Sequence, residues 1–262
     1  MKSIEAQKLK LGYDHSIIID EVSFEIPENK ISIFIGSNGC GKSTMLRSFA
    51  RLLKPIDGSI ILNGEDIASI PTKTIAKNLA ILPQSPMAPG SLTVRELVEM
   101  GRHPYQSWKN KHTDEDKEMV NKALKSTQTL ELSDMNVDSL SGGQRQRVWI
   151  AMVLAQGTDI ILLDEPTTYL DMTHQIEVLD LLYRLNRDEK KTIVMVLHDL
   201  NLSCRYADHI IAIKNKGVYK KGKPDDVITK ETVKDVFNMD CMIIKDPIYN
   251  TPMCVPYSKA FN

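Results

Sequence analysis

A lysine sits inside a glycine-rich run, Gly36-Ser37-Asn38-Gly39-Cys40-Gly41-Lys42-Ser43-Thr44, and two acids close an apolar one, Asp159-Ile160-Ile161-Leu162-Leu163-Asp164-Glu165. The first run fits G-x-x-x-x-G-K-[ST]. Its glycines let the backbone curl until successive N–H groups face one hollow, which suits phosphate. Lys42 can then reach the outer phosphates and the Ser43 hydroxyl can bind Mg²⁺. In the second run Asp164 suits a Mg²⁺ shell, and Glu165 can orient or deprotonate water. A capped strand end is the plainer reading of that acidic pair. Leu140-Ser141-Gly142-Gly143-Gln144 opens a helix and makes a second potential phosphate site, although alone it could be only an N-cap.

These residues need elements to position them. Ile31-Ser32-Ile33-Phe34-Ile35 reads as a buried strand ahead of the glycine-rich run. Apolar residues at 45, 46, 49, 52 and 53 make one helical face behind it, closed by Lys54-Pro55. Residues 159–165 read as a central parallel strand, and open α/β sheets bind ligands at such strand ends. Residues 192–197 are another buried strand, ending at His198. Strands are expected at 3–9 and 17–26, joined by a turn through Gly12-Tyr13-Asp14-His15. Tyr13 could stack on an adenine face or be an ordinary exposed turn residue. Further expectations are a helix over 74–79, a strand end at 80–83 followed by Gln84, and a capping box at Thr93-Val94-Arg95-Glu96. That helix should stop at Gly101. A loop is expected over 102–111, then a helix capped by Thr113 and a long helix over 172–187 containing His174, a surface or packing residue. Residues 238–262 read as a tail with strand fragments.

Composition narrows the classes. The chain has 262 residues, 42% hydrophobic and 26% charged, with a net charge of −1, so no basic field points to nucleic acid. No apolar run nears the roughly 20 residues of a spanning helix, so any membrane role is expected to be peripheral. Met1-Lys2-Ser3-Ile4-Glu5 leads into a mixed strand, so no secretory signal is expected. The four cysteines form no C-x-x-C and suit a reducing compartment. Cys40, close to a helix start, could have a lowered thiol pKa and react unless ATP covers it; a small inert loop residue is the alternative.

Taken in order, the motifs resemble the ATP-binding subunit of ABC transporters. Tyr13 looks like the adenine-stacking aromatic, 36–44 the Walker A loop and Gln84 the Q-loop glutamine. Residues 140–144 match the signature motif and 160–164 Walker B, with Glu165 as the catalytic glutamate. Leu170-Asp171 matches the D-loop and His198 the switch histidine. The resemblance covers about residues 4–237. It implies an α/β fold: a P-loop NTPase (RecA-like) core with an antiparallel β subdomain and an inserted α-helical subdomain. The implied organisation is a core of 1–86 and 157–237, a helical subdomain at 87–156 and a tail at 238–262. The cofactors implied are ATP and Mg²⁺, with Ser43, Gln84 and Asp164 around the metal. Lys42, Gln84, Glu165 and His198 would be catalytic. Residues 36–44, Tyr13, Ser141, Gly142, Gly143, Gln144 and Asp171 would contact nucleotide.

Within the family, the likeness is to ATPases of iron–siderophore importers. It rests on Gly39-Cys40-Gly41-Lys42, Leu82-Pro83-Gln84-Ser85-Pro86, Gly101-Arg102-His103-Pro104-Tyr105, Arg145-Gln146-Arg147-Val148-Trp149-Ile150-Ala151 and Thr167-Thr168-Tyr169-Leu170-Asp171. Importers of haem, cobalamin or metal ions share much of this. Ser37 replaces the more usual proline and should still permit the loop. The resemblance implies a head-to-tail homodimer at the cytoplasmic face of the cell membrane, bound to integral membrane permease subunits. An extracellular substrate-binding protein would act indirectly, and no nucleic acid is expected as a partner. A soluble ABC protein acting on nucleic acid is the remoter alternative. Residues 140–144 and His198 argue against a P-loop kinase or GTPase, and Lys42 with Glu165 against a non-catalytic scaffold.

Overall fold

The computed structural model describes residues 4–14, 16–88, 90–106 and 113–258. His15, Trp108 with the rest of 107–112, and the last four residues of the tail lie outside them. The chain divides into two compact units: Met1–Ser69 with Thr192–Asn262, and Ile70–Lys191.

The first unit begins with β1 (Ile4–Tyr13), β2 (Ser16–Ile26), β3 (Ile31–Ile35), α1 (Lys42–Phe49), β4 (Asp57–Leu62) and β5 (Glu65–Asp66). Four of these strands form an antiparallel sheet in the order β2-β1-β4-β5. β1 continues to Tyr13 instead of ending at residue 9. The pairing slips between Ala6 and Leu9 and then resumes with Leu9 opposite Val22. Lys8 and Glu21 absorb the bulge at φ 46° and 48°, which masks the two-residue period in the sequence. β3 is buried at all five positions, as an apolar run covered on both faces should be. Phe34 on β3 packs its ring against Phe24 and Phe49, with centroids 6.1 and 6.3 Å away.

The second unit holds α2 (Thr72–Asn78), β6 (Leu79–Leu82), α3 (Val94–Glu99), α4 (Asp114–Ser126), α5 (Gly142–Ala155), β7 (Ile160–Asp164) and α6 (Met172–Glu189). β6 and β7 are parallel neighbours, with Leu82 level with Leu163. Capping boxes start three helices, at Thr93 with Glu96, Thr113 with Asp116, and Ser141 with Gln144. Residues 100–105 form a 3₁₀ helix, where the preceding helix was expected to stop at Gly101 and a loop to begin at residue 102. The cause is tertiary. A Cβ at Gly101 would come within 2.2 Å of the Met152 carbonyl oxygen, and buried Arg102 bonds to Asp116 and to the Ala155 carbonyl.

The chain completes the first unit with β8 (Thr192–Val196), α7 (Leu200–Tyr206), β9 (His209–Lys214), β10 (Gly217–Gly222), α8 (Pro224–Val227), α9 (Lys230–Phe237), β11 (Cys241–Lys245) and β12 (Pro252–Pro256). β3 lies parallel to both β8 and β9. The tail fragments pair as an antiparallel hairpin. Asp246 shapes the hairpin turn by accepting the N–H groups of Ile248 and Tyr249 and the Arg205 Nε–H. Among the described residues no helix is long and apolar enough to cross a membrane.

Candidate functional site

In the first unit the glycine-rich run joins β3 to α1. Gly36, Gly39 and Gly41 take φ of 150°, 76° and 108°, a region that costs any other residue strain. At Gly36 the backbone also passes too close for a side chain. A Cβ there would sit 2.5 Å from the Ile213 carbonyl oxygen and 2.6 Å from the Cys40 sulfur. Gly41 caps α1 without a side-chain hydrogen bond, so the cap residue itself takes up none of the first N–H groups of the helix. Lys42 is buried, and its Nζ donates to the carbonyls of Gly36 at 2.8 Å and Ser37 at 3.0 Å. The ammonium thus lies across the loop while Ser37, Asn38 and Gly39 face solvent. Ser43 and Thr44 follow in the first turn of α1. A curled cradle of N–H groups with one cation and a hydroxyl fits a nucleotide's phosphates.

Strand pairing places His198 beside this loop. Phe34 is level with Val196 in the parallel β3–β8 pair, and the Leu197 N–H donates to the Phe34 carbonyl. Gly36 and exposed His198 therefore leave adjacent strands at the same end and the same level. Tyr13 lies at the end of β1, 42% exposed, so its ring is open to a ligand.

Cys40 corrects the expectation of a lowered thiol pKa. Burial pushes the thiol up, and the opposing pull of the Lys42 ammonium and nearby N–H groups does not overcome it. The helix start is near, but desolvating a thiolate costs more than that field returns.

The second unit repeats the logic with β6 and β7. Leu82 is level with Leu163, so Gln84 and Glu165 leave neighbouring strands together, although 81 residues separate them. Gln84 Nε2 donates to Glu165 Oε2 at 2.6 Å, and the Thr168 hydroxyl donates to the same oxygen at 3.0 Å. Glu165 itself stands at φ 53°, a conformation costly for a non-glycine residue and common where function imposes it. Asp164 is buried at the end of β7. Thr168 was missed by sequence reasoning, and only its three-residue spacing from Glu165 could have signalled it.

Ser141 caps α5. Its Oγ accepts the Gln144 N–H at 3.3 Å, and Gln144 Oε1 accepts the Ser141 N–H at 3.1 Å. Asp171 caps α6 in turn: one oxygen accepts the His174 N–H at 2.9 Å and meets ring Nδ1 at 2.7 Å. The Asp171 pKa is held below its ordinary value by that backbone N–H first and by the His174 ring second. Tyr13, residues 36–44 and His198 thus belong to the first unit. Gln84, residues 141–144, Asp164, Glu165 and Asp171 belong to the second.

Known proteins resemble this chain in sequence and in fold. The family model described as "ABC transporter" matches residues 19–168. The petrobactin import ATP-binding protein FpuD of Bacillus anthracis is 60% identical over 259 residues, covering 99% of this chain and 95% of that one. The iron(3+)-hydroxamate import ATP-binding protein FhuC of Bacillus subtilis is 48% identical, covering 100% and 97%. Among solved structures, the dimeric post-hydrolysis state of the ATP-binding cassette MJ0796, bound to ADP and Pi, superposes with a TM-score of 0.74 at 28% identity. It covers 84% of this chain and 98% of that one. Full-length identity of this order, together with a phosphate cradle and an oriented glutamate, makes this chain a member of the ABC transporter family, one of its ATP-binding subunits.

Proposed function

We propose that this chain hydrolyses ATP to drive import of an iron–siderophore complex through a membrane permease, working as a head-to-tail pair on the cytoplasmic face. The observation that carries the hydrolytic part is the Glu165 carboxylate, held by Gln84 and Thr168 on one oxygen. Two donors on Oε2 orient the carboxylate before the reaction begins, and the carboxylate would polarise an attacking water. Import of petrobactin and of iron(3+)-hydroxamate by the two relatives supports the cargo class.

The role of each residue follows from its chemistry. Residues 36–44 would cradle the phosphates, with Lys42 moving from loop carbonyls to phosphate oxygens, and Tyr13 would stack on the base. Ser43, Asp164 and Gln84 offer only oxygen ligands, which suits Mg²⁺; the ion would neutralise phosphate charge. His198 would stabilise charge in the transition state. Ser141, Gly142, Gly143, Gln144 and Asp171 would meet nucleotide held by the other copy. The core would be 1–86 with 157–237 and the helical subdomain 87–156, where α3, α4 and α5 offer a surface to the permease. Residues 238–262 would follow as the tail.

The test is Glu165→Gln. Losing the base should lower turnover at least about 100-fold while ATP still binds, and light scattering with Mg²⁺–ATP should report a closed dimer. Near-normal turnover would refute the assignment. For the cargo, a strain lacking the chain should lose uptake of iron-labelled siderophore and regain it with the wild type but not with Glu165→Gln. Intact siderophore uptake with loss of haem or cobalamin uptake would overturn the cargo class.

A further inference from the structure

We infer that His174, a residue with no part in the roles above, is a positioning residue that sets the Ser141-Gly142-Gly143 helix start for the other copy's phosphate. The inference rests on the proposed role of that segment. Gly143 is the second residue of α5, inside a helix where glycine is a poor former. Its lack of a side chain has a local reason. A Cβ there would lie 2.3 Å from His174 Cδ2, 2.7 Å from Cγ and 2.9 Å from Nε2. The imidazole occupies the space a side chain would need, flat against the first turn of α5.

The ring is itself pinned. Nδ1 lies 2.7 Å from Asp171 Oδ1, the oxygen that also caps α6 through the His174 N–H. An ionised carboxylate can only accept, so Nδ1 donates to Asp171, and the ring lies over Gly143 with Cδ2 nearest. One turn further along both helices, Arg147 and Glu177 form an ion pair at 2.6 Å. Arg147 shares a face with Gly143, and Glu177 shares one with His174. The starts of α5 and α6 are thus joined at two levels, and only the level nearer the helix ends touches a glycine of the signature segment. Asp171, His174 and Gly143 form one train of contacts, so the ring fixes where the first N–H groups of α5 point.

The experiment uses the Glu165→Gln protein, in which pairing depends on ATP. Two quantities are read: the Mg²⁺–ATP concentration giving half-maximal dimer by light scattering, and binding of a fluorescent ATP analogue to dilute monomer. Adding His174→Ala should raise the dimer midpoint about tenfold or more, the loss expected for a hydrogen bond to a charged group. Monomer affinity should stay unchanged, because the first unit's cradle is untouched. His174→Asn places an amide N–H where Nδ1 was and should recover most of the loss. An unshifted midpoint in His174→Ala, an equal loss of monomer affinity, or no recovery with Asn would overturn the inference. Failure of the Glu165→Gln parent to pair at any ATP concentration would instead overturn the head-to-tail reading itself.

Discussion

Arg102 is the residue whose removal the structure prices most directly. Its side chain is 3% exposed, its Nε donates to Asp116 Oδ1 at 2.8 Å, and Nη1 donates to the Ala155 carbonyl at 2.9 Å. Its guanidinium also stacks on Tyr105, 3.9 Å from the ring centroid. Arg102→Met keeps most of the volume and removes the charge. Breaking one side of a buried ion pair costs about 3–5 kcal/mol, because the remaining charge stays buried without a counterion. For a domain of this size, that is a fall in Tm of about 6–20 °C. Urea unfolding followed by tryptophan fluorescence reports on this unit, since Trp149 is buried in α5. Adding Asp116→Asn should recover more than half of the loss. Acid should narrow the gap. Burial works to raise the Asp116 pKa, but the Arg102 and Thr113 hydrogen bonds overrule it and hold it below the ordinary value. That depressed pKa contributes stability above about pH 4, which fades as the carboxyl is protonated on further acidification. In Arg102→Met the buried carboxyl takes up its proton more readily, so wild type and variant converge as the pH falls. A loss below about 1 kcal/mol, or a gap that widens in acid, would refute the reasoning.

Two further outcomes are expected at the phosphate loop. Gly36→Ala should weaken binding of a fluorescent ATP analogue about tenfold or more while leaving far-UV circular dichroism intact, since its Cβ would collide with the Ile213 carbonyl oxygen at 2.5 Å. Unchanged affinity would mean the loop tolerates a side chain there. Cys40 should be alkylated by iodoacetamide at pH 7 more slowly than free cysteine and speed up only as the pH climbs past the ordinary thiol value, because burial raises its pKa. A rate at or above that of free cysteine would contradict the burial argument.

Local chemistry was legible in the sequence because it depends on neighbours in the chain. The glycines of 36–41 need positive φ to curl, Ser141 caps the helix it precedes, and the buried strands 31–35 and 160–164 are apolar apart from Ser32 and the closing Asp164. Everything that required two distant segments was decided by the tertiary structure. Strand register, which no short window contains, brought Gln84 to Glu165 and set Gly36 level with His198. Burial reversed the expected direction at Cys40, since desolvation depends on the surrounding shell and not on the adjoining helix start. Packing against Met152 and Asp116 turned residues 100–105 into a 3₁₀ helix. The ring of His174 explains a glycine 31 positions away, because sequence spacing lacks the direction in which a side chain points.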